Sequence, residues 1–439
     1  MKMSLTSSLR RLLVTYRRAS SFRTYLSDAY RCEQAWQNRL KSPLLTRLNQ
    51  DELYHSIEQK LNQEDFISGV DVDIFTASVQ DETHLDEVED LVFKLRQSGQ
   101  AGNLFPSTGH NFVQLLHFTG RTNDLLRILH DRLNYGIFVD YHISNLIVDD
   151  FLKAEKLPEA AKVAVLHGLQ EDTGNHITNN LSLLACLQNV LKQVTWELEL
   201  PPPEEEPKEE VKIRVNFLRN PSFDGHFDLV KGNALMGKTM AILAPALKDK
   251  VLAGSLELLG WALFEDWKKV EKSAGSLNGP IFREAIDLIE KHISGLEKEK
   301  VPEATVAVLK QVKTKEGNLL EQMEGSVKEA VTENEAKDIQ EQEKKYVEWE
   351  EHRQRMLAKQ LREIEIKQKL EQIEEKKKYM KEREELLSFF EKEDQYNLII
   401  EEAEKEEGER KLTERTVAVV EETYVPPEVE KRHVTKKKI

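Results

Sequence analysis

Cysteine is nearly absent from this 439-residue chain, with only Cys32 and Cys186 present. They lie far apart, so neither a disulfide framework nor a zinc site has the ligands it would need, and a reducing compartment fits. No uninterrupted apolar run approaches the roughly 18 residues that cross a bilayer, so no membrane span is expected. Net positive charge is lacking too: 63 Lys and Arg stand against 78 Asp and Glu, a formal charge of −15. That excludes a whole-surface basic footprint, and any RNA contact has to be local. Twelve histidines are scattered along the chain, but no close His/Cys/Asp/Glu set has metal-ligand spacing, and His84 with Asp86 and Glu87, or His142 with Asp149 and Asp150, read as solvated helix-surface groups. No Ser-His-Asp or Cys-His arrangement can be read either. The expectation is a protein without catalytic residues, metal or cofactor, and without a small-molecule substrate.

Charged residues make up 32% of the chain, above the roughly one-quarter of an average globular domain. The excess sits mostly in the last third. Residues 1–27 behave differently. They carry six bases (Lys2, Arg10, Arg11, Arg17, Arg18, Arg23), nine Ser or Thr, and no acid before Asp28. Leu5, Leu9, Leu12, Leu13 and Tyr16 recur there at helical spacing. This is the Arg-rich, acid-poor amphipathic pattern of a mitochondrial transit peptide, which predicts the mitochondrial matrix. Residues 28–68 read as N-terminal helices, with Trp36, Leu40, Leu44, Leu45, Leu48, Leu53, Ile57 and Leu61 on one face and Pro43 as a break.

An internal repeat of about 35 residues runs between Gly69 and Asp172. Its clearest unit is Pro106–Asp140, with Gly120-Arg121 at the inner turn and Gly136-Ile137 near the end. A second unit starts at Tyr141 and carries Lys153-Ala154-Glu155-Lys156-Leu157-Pro158-Glu159-Ala160 where the first has Phe118 to Leu125. Gly99 marks the corresponding end of an earlier, degraded unit. Phe112, Leu115 and Leu116, then Leu125, Leu126, Ile128 and Leu129, fall at helical intervals. Two short helices cannot bury such faces alone, so neighbouring pairs must stack. The predicted fold is all-α, a helix-turn-helix repeat solenoid over residues 69–200.

Lys153 to Ala160, together with Gly136, Ile137 and Asp140, resembles the pentatricopeptide repeat. Tyr135 to Asp140, Tyr25 to Tyr30 with Trp36, Ala234 to Lys238, and Tyr346 to Trp349 are similar to pentatricopeptide-repeat proteins of the animal mitochondrial small ribosomal subunit. The resemblance implies a non-catalytic structural component supporting mitochondrial translation. Its implied partners are the ribosomal RNA of that subunit and neighbouring mitochondrial ribosomal proteins. Such repeats read bases through side chains near the fifth and last positions, which here are His110 with Asp140, and Asn145 in the next unit. Two or three repeats are too few for specificity, and acids outnumber bases about two to one between Gly69 and Asp172, which opposes phosphate affinity. Shape-based contact through Arg121, Arg127, Arg132, Lys153, Lys156 or the basic tail is the better expectation. A free RNA-stability or translation factor is the alternative.

Pro201 to Pro207 interrupts the helical pattern, so residues 201–210 read as a stiff, solvated linker. Residues 211–330 form a second apolar-periodic region, including Leu252, Leu256, Leu259, Leu263 and Trp267. Residues 331–410 are dominated by Glu, Lys, Arg and Gln, with Ile366, Ile373, Met380 and Leu387 every seven residues. Lys377 and Glu384 interrupt that seam, so a long charged helix is expected, at most a weak coiled coil. Residues 411–439 are a basic-ended tail.

One motif suggests an enzyme. Gly232-Asn233-Ala234-Leu235-Met236-Gly237-Lys238-Thr239 matches the phosphate-binding loop pattern literally, with Gly232, Gly237, Lys238 and Thr239 in the defining places. Such a loop follows a buried strand, yet Phe227 to Val230 is short and polar, and everything downstream reads as helix. The motif is therefore read as a decoy, with nucleotide hydrolysis as the remote alternative.

Overall fold

A computed structural model of the protein describes residues 25–64, 67–198, 229–276, 279–296, 301–388 and 392–423. Most of residues 1–27, read as a transit peptide, all of residues 201–210, read as a linker, and the end of the basic tail lie outside the described residues. The chain divides into two compact units, Met1–Met356 and Leu357–Ile439.

The first unit is built from stacked helix pairs. After short helices at Glu33–Gln37, Pro43–Thr46 and Gln50–Glu64, the pairs are α1 (Gly69–Ser78) with α2 (Leu85–Gln97), α3 (Pro106–Thr119) with α4 (Thr122–His130), and α5 (Tyr141–Lys153) with α6 (Leu157–Gln170). Then come α7 (His176–Lys192), α8 (Gly232–Leu243), α9 (Lys250–Leu263), α10 (Trp267–Ser276), α11 (Arg283–Ser294) and α12 (Glu303–Gln311). Local chemistry sets the helix starts. Pro106 occupies the first turn of α3, where its missing N–H costs nothing. Asp140, Asn175 and Asp249 cap α5, α7 and α9 by accepting the amides of Ile143, Thr178 and Val251. The fold is the all-α repeat solenoid expected from the period.

The turns repeat as well. Gly120 ends α3 in the left-handed region at φ 79°, and Glu155, 35 residues on, does the same after α5 at φ 56°. The second helices α2 and α4 are amphipathic, with Leu125, Leu126, Ile128 and Leu129 of α4 buried, whereas α6 is buried over most of its length, from Ala160 to Leu169. The first helices are buried on all sides, as in α3 from Ser107 to Leu116 and in α5 from His142 to Phe151. That burial includes His142, Asp149 and Asp150. The sequence suggests solvated helix-surface groups at those three positions, and the structure corrects it. Asp150 is held by Arg31 at 2.8 Å and His117 at 2.9 Å.

What covers the first helices is the beginning of a 70-residue helix, α13 (Leu319–Ser388), together with the N-terminal segment. Leu319, Met323, Val327, Ala330 and Val331 are buried at its start. The helix thus begins inside the segment read as 211–330, and the charged composition sets in only after its apolar anchor. A two-residue parallel pairing, β1 (Ile281–Phe282) with β2 (Thr314–Lys315), links the turns that precede α11 and α13.

In the second unit, α13 continues to Ser388 and α14 spans Glu393–Thr423. Ile366, Leu370, Ile373, Met380 and Leu387 are exposed, and pairs such as Lys359–Glu363 and Lys411–Glu407 lie along the surface. This is the long charged helix that the composition predicts.

Candidate functional site

The polar side chains lining the first-helix face converge on α13. Asp73 of α1, fully buried, accepts bonds from Ser107 Oγ at 2.6 Å, Thr108 Oγ1 at 2.7 Å and Arg353 Nε at 2.7 Å. His110 of α3 places Nδ1 2.9 Å from Asp140 and Nε2 3.0 Å from the Tyr346 hydroxyl. Its ring lies 5.1 Å from that of Trp349. Asn145 of α5 donates to the Tyr30 hydroxyl at 2.8 Å, and Tyr30 in turn donates to Asp338 at 3.3 Å. Asn180 of α7 accepts from Ser326 Oγ at 2.7 Å. Burial pushes the Asp140 carboxyl up, but His110, His142 and the Ile143 amide outweigh it and hold it below the usual carboxylate range. Burial pushes the Tyr30 and Tyr346 hydroxyls up, so both stay protonated donors.

The structure therefore pairs His110 with Asp140 and seats Asn145 on Tyr30. It also engages all three within the chain: His110 and Asn145 are 4% and 1% exposed, and neither presents an edge to a base. The residues that sequence reasoning missed are the partners on α13, namely Ser326, Asp338, Tyr346 and Arg353. Tyr346 and Trp349, two aromatics in a run of Glu and Lys, were the available signal.

The candidate cations lie elsewhere. Arg121 contacts Asp86 at 2.5 Å and Asp124 at 2.8 Å, and Arg127 contacts Glu89 at 2.8 Å. Asp86 and Glu89 belong to α2, so these arginines staple one second helix to the next. Lys153 bridges Asp149 and Asp150 at 3.0 and 3.3 Å. Arg132 is partly buried, and burial lowers its pKa. Lys156 is exposed, with its Nζ 5.9 Å from the Phe151 ring centre.

The phosphate-loop pattern is not a loop. All eight residues lie in α8, and the Gly232 amide donates to Trp196 O at 2.9 Å. A Cβ on Gly237 would stand 2.7 Å from the Gly260 carbonyl oxygen, and one on Gly168 would stand 2.2 Å from Thr239 Oγ1. Those glycines let α8 approach α9 and α6 closely. Lys238, 4% exposed, packs with Nζ 4.9 Å from the centre of the Phe264 ring. Gly232 spends its amide on Trp196, the amides beyond the first turn bond within the helix, and the lysine that would reach a phosphate is buried against Phe264 instead.

Among the described residues, no three His, Cys, Asp or Glu side chains are grouped to hold a metal ion, and no helix is long and apolar enough to cross a membrane. The stacked pairs and the internal row of side chains define an all-α helical-repeat protein. A family model of mitochondrial 28S ribosomal protein S27 matches residues 1–379. The chain belongs to that family, and is a mitochondrial ribosomal protein of the small subunit.

Proposed function

We propose that the protein is a non-catalytic structural component of the small subunit that works in the mitochondrial matrix, docks ribosomal RNA and neighbouring ribosomal proteins, and so supports translation. The family match over residues 1–379 carries the reading. The transit-like N-terminus, with six bases and no acid before Asp28, supports the compartment. RNA contact in this reading is to phosphates and shape, with Arg121, Arg127, Arg132, Lys153 and Lys156 as candidates on the solenoid. Lys156 and Arg127 are the exposed ones. Because several of these cations already face acids, affinity from the solenoid alone is modest and salt-sensitive.

Sedimentation of a mitochondrial matrix extract through a gradient at moderate salt tests the reading. The protein is expected in the small-subunit peak, together with its ribosomal RNA. Recovery of the protein only at the top of the gradient would overturn it.

A further inference from the structure

Asp73, His110, Asn145 and Asn180 are each the fifth residue of a first helix, counted from Gly69, Pro106, Tyr141 and His176. All four are buried. Each bonds to one residue of α13, Asn145 doing so through the Tyr30 hydroxyl. Taken from the first pair onward, the partners run backwards along α13: Arg353, Tyr346, Asp338, Ser326. From Arg353 to Asp338 the steps are seven and eight residues, about two turns, or a rise of roughly 10–12 Å. That is close to the roughly 8–10 Å between packed helices. Over these three contacts one repeat of the solenoid meets two turns of the bound helix, and the last step, from Asp338 to Ser326, is longer at twelve residues.

The geometry points to a groove that reads an α-helix rather than nucleobases: the fifth-position row is a peptide-docking surface, filled by this chain's own segment Ser326–Arg353, and RNA is held elsewhere. Charge agrees with this assignment. An RNA strand on the row would set its phosphates against Asp73 and Asp140, whereas α13 brings Arg353, which donates to Asp73 with both side chains out of water, at 3% and 0% exposure. Ring contacts agree too. Tyr346 packs on His110 edge-on and Trp349 at a tilt, with ring centres 5.5 and 5.1 Å away, and His142 stacks on it at 5.8 Å, so the ring has aromatic neighbours where a base would stack. The statement about RNA rests on the docking function proposed above, while the statement about the groove does not.

The test places a photo-crosslinker in the groove of the full-length chain as Tyr346→p-benzoylphenylalanine. The protein is irradiated alone, with excess oligouridine, and in sedimented small subunits. The expected product in every case is an internal crosslink to the peptide Pro106–Thr119, with no loss of yield when oligouridine is added. Loss of that crosslink on adding oligouridine, or a crosslink from this position to RNA, overturns the proposal. Should the substitution prevent folding, as judged by circular dichroism, Trp349→p-benzoylphenylalanine probes the same ring contact. If the protein fails to sediment with ribosomal RNA, the docking function falls, and the crosslink in the free protein still decides the groove.

Discussion

Arg353 and Asp73 are the pair on which the seating of α13 most depends. Removing one partner leaves a charge out of water, so Arg353→Ala is expected to destabilise the protein by about 3–5 kcal/mol. Replacing both, as Asp73→Asn with Arg353→Met, should restore much of that loss. Urea unfolding of the two variants decides it, and a cost below about 1 kcal/mol for Arg353→Ala would show the pair to be solvated after all. Buried histidines give a second expectation. Desolvation pushes His130, His142 and His167 each down to about 4. Below the ordinary value of about 6.5, the unfolded chain takes up protons at these sites that the folded chain refuses until about pH 4. Stability therefore falls as pH drops through that window, by on the order of 1 kcal/mol per histidine at pH 5.5 relative to pH 7.5. Equal unfolding free energies at the two pH values would contradict this. Backbone strain gives a third. Glu155 occupies the left-handed turn position that Gly120 fills one repeat earlier, at a cost of about 1–2 kcal/mol for a residue with a Cβ. Glu155→Gly should raise stability by roughly 0.5–1 kcal/mol, since glycine's added unfolded-state freedom cancels part of the relief. A lower melting temperature would count against it.

Helix-to-helix approach explains the one motif that pointed to an enzyme. At Gly237 an added Cβ meets backbone atoms of Gly260 and Phe264, both at 2.7 Å, and these cannot swing aside. Gly237→Ala is expected to cost about 1–3 kcal/mol. Gly325→Ala, on α13 with nothing within 4 Å of the added Cβ, should instead stabilise by roughly 1 kcal/mol. Thermal unfolding of the pair tests the packing explanation, and a Gly237→Ala variant as stable as the parent would defeat it. How far such elements could be read beforehand depended on what buries them. The repeat was legible because α4 hides Leu125, Ile128 and Leu129 behind a polar face, and because Gly120 and Gly136 mark its turns. The docking of α13 was not. From Asp338 to Arg353 the buried side chains are polar or amphipathic, so the hydropathy pattern of a docked helix matches that of a solvated one. The shift in composition near residue 331 marks the end of apolar burial by Leu319, Met323 and Val327, and not the start of a helix. For the same reason His142, Asp149 and Asp150 passed as surface groups, although buried carboxylates with Arg31, His117 and Lys153 close by are stable inside.

The two units of the chain differ in what they contribute. Met1–Met356 contains the core, and the buried residues of α13 end with Arg353. Beyond Leu357 the large apolar side chains of the described residues that stand open to water range from Ile364 at 42% to Leu387 at 77% exposure. Surface pairs such as Lys359–Glu363 support the helix there by only a few tenths of a kcal/mol each. The family match nevertheless runs to residue 379, well past the last buried side chain. That extension has no folding role that burial can account for, which favours a role in contact with other components of the subunit. Truncation after Met356 is therefore expected to leave the unfolding midpoint of the remaining chain unchanged while reducing its recovery in the small-subunit peak. Differential scanning calorimetry and gradient sedimentation of the truncated and full-length chains separate the two effects. A lowered midpoint would show that the exposed helix stabilises the solenoid. Full recovery in the peak would show that docking needs only the repeats and the helix segment seated on them.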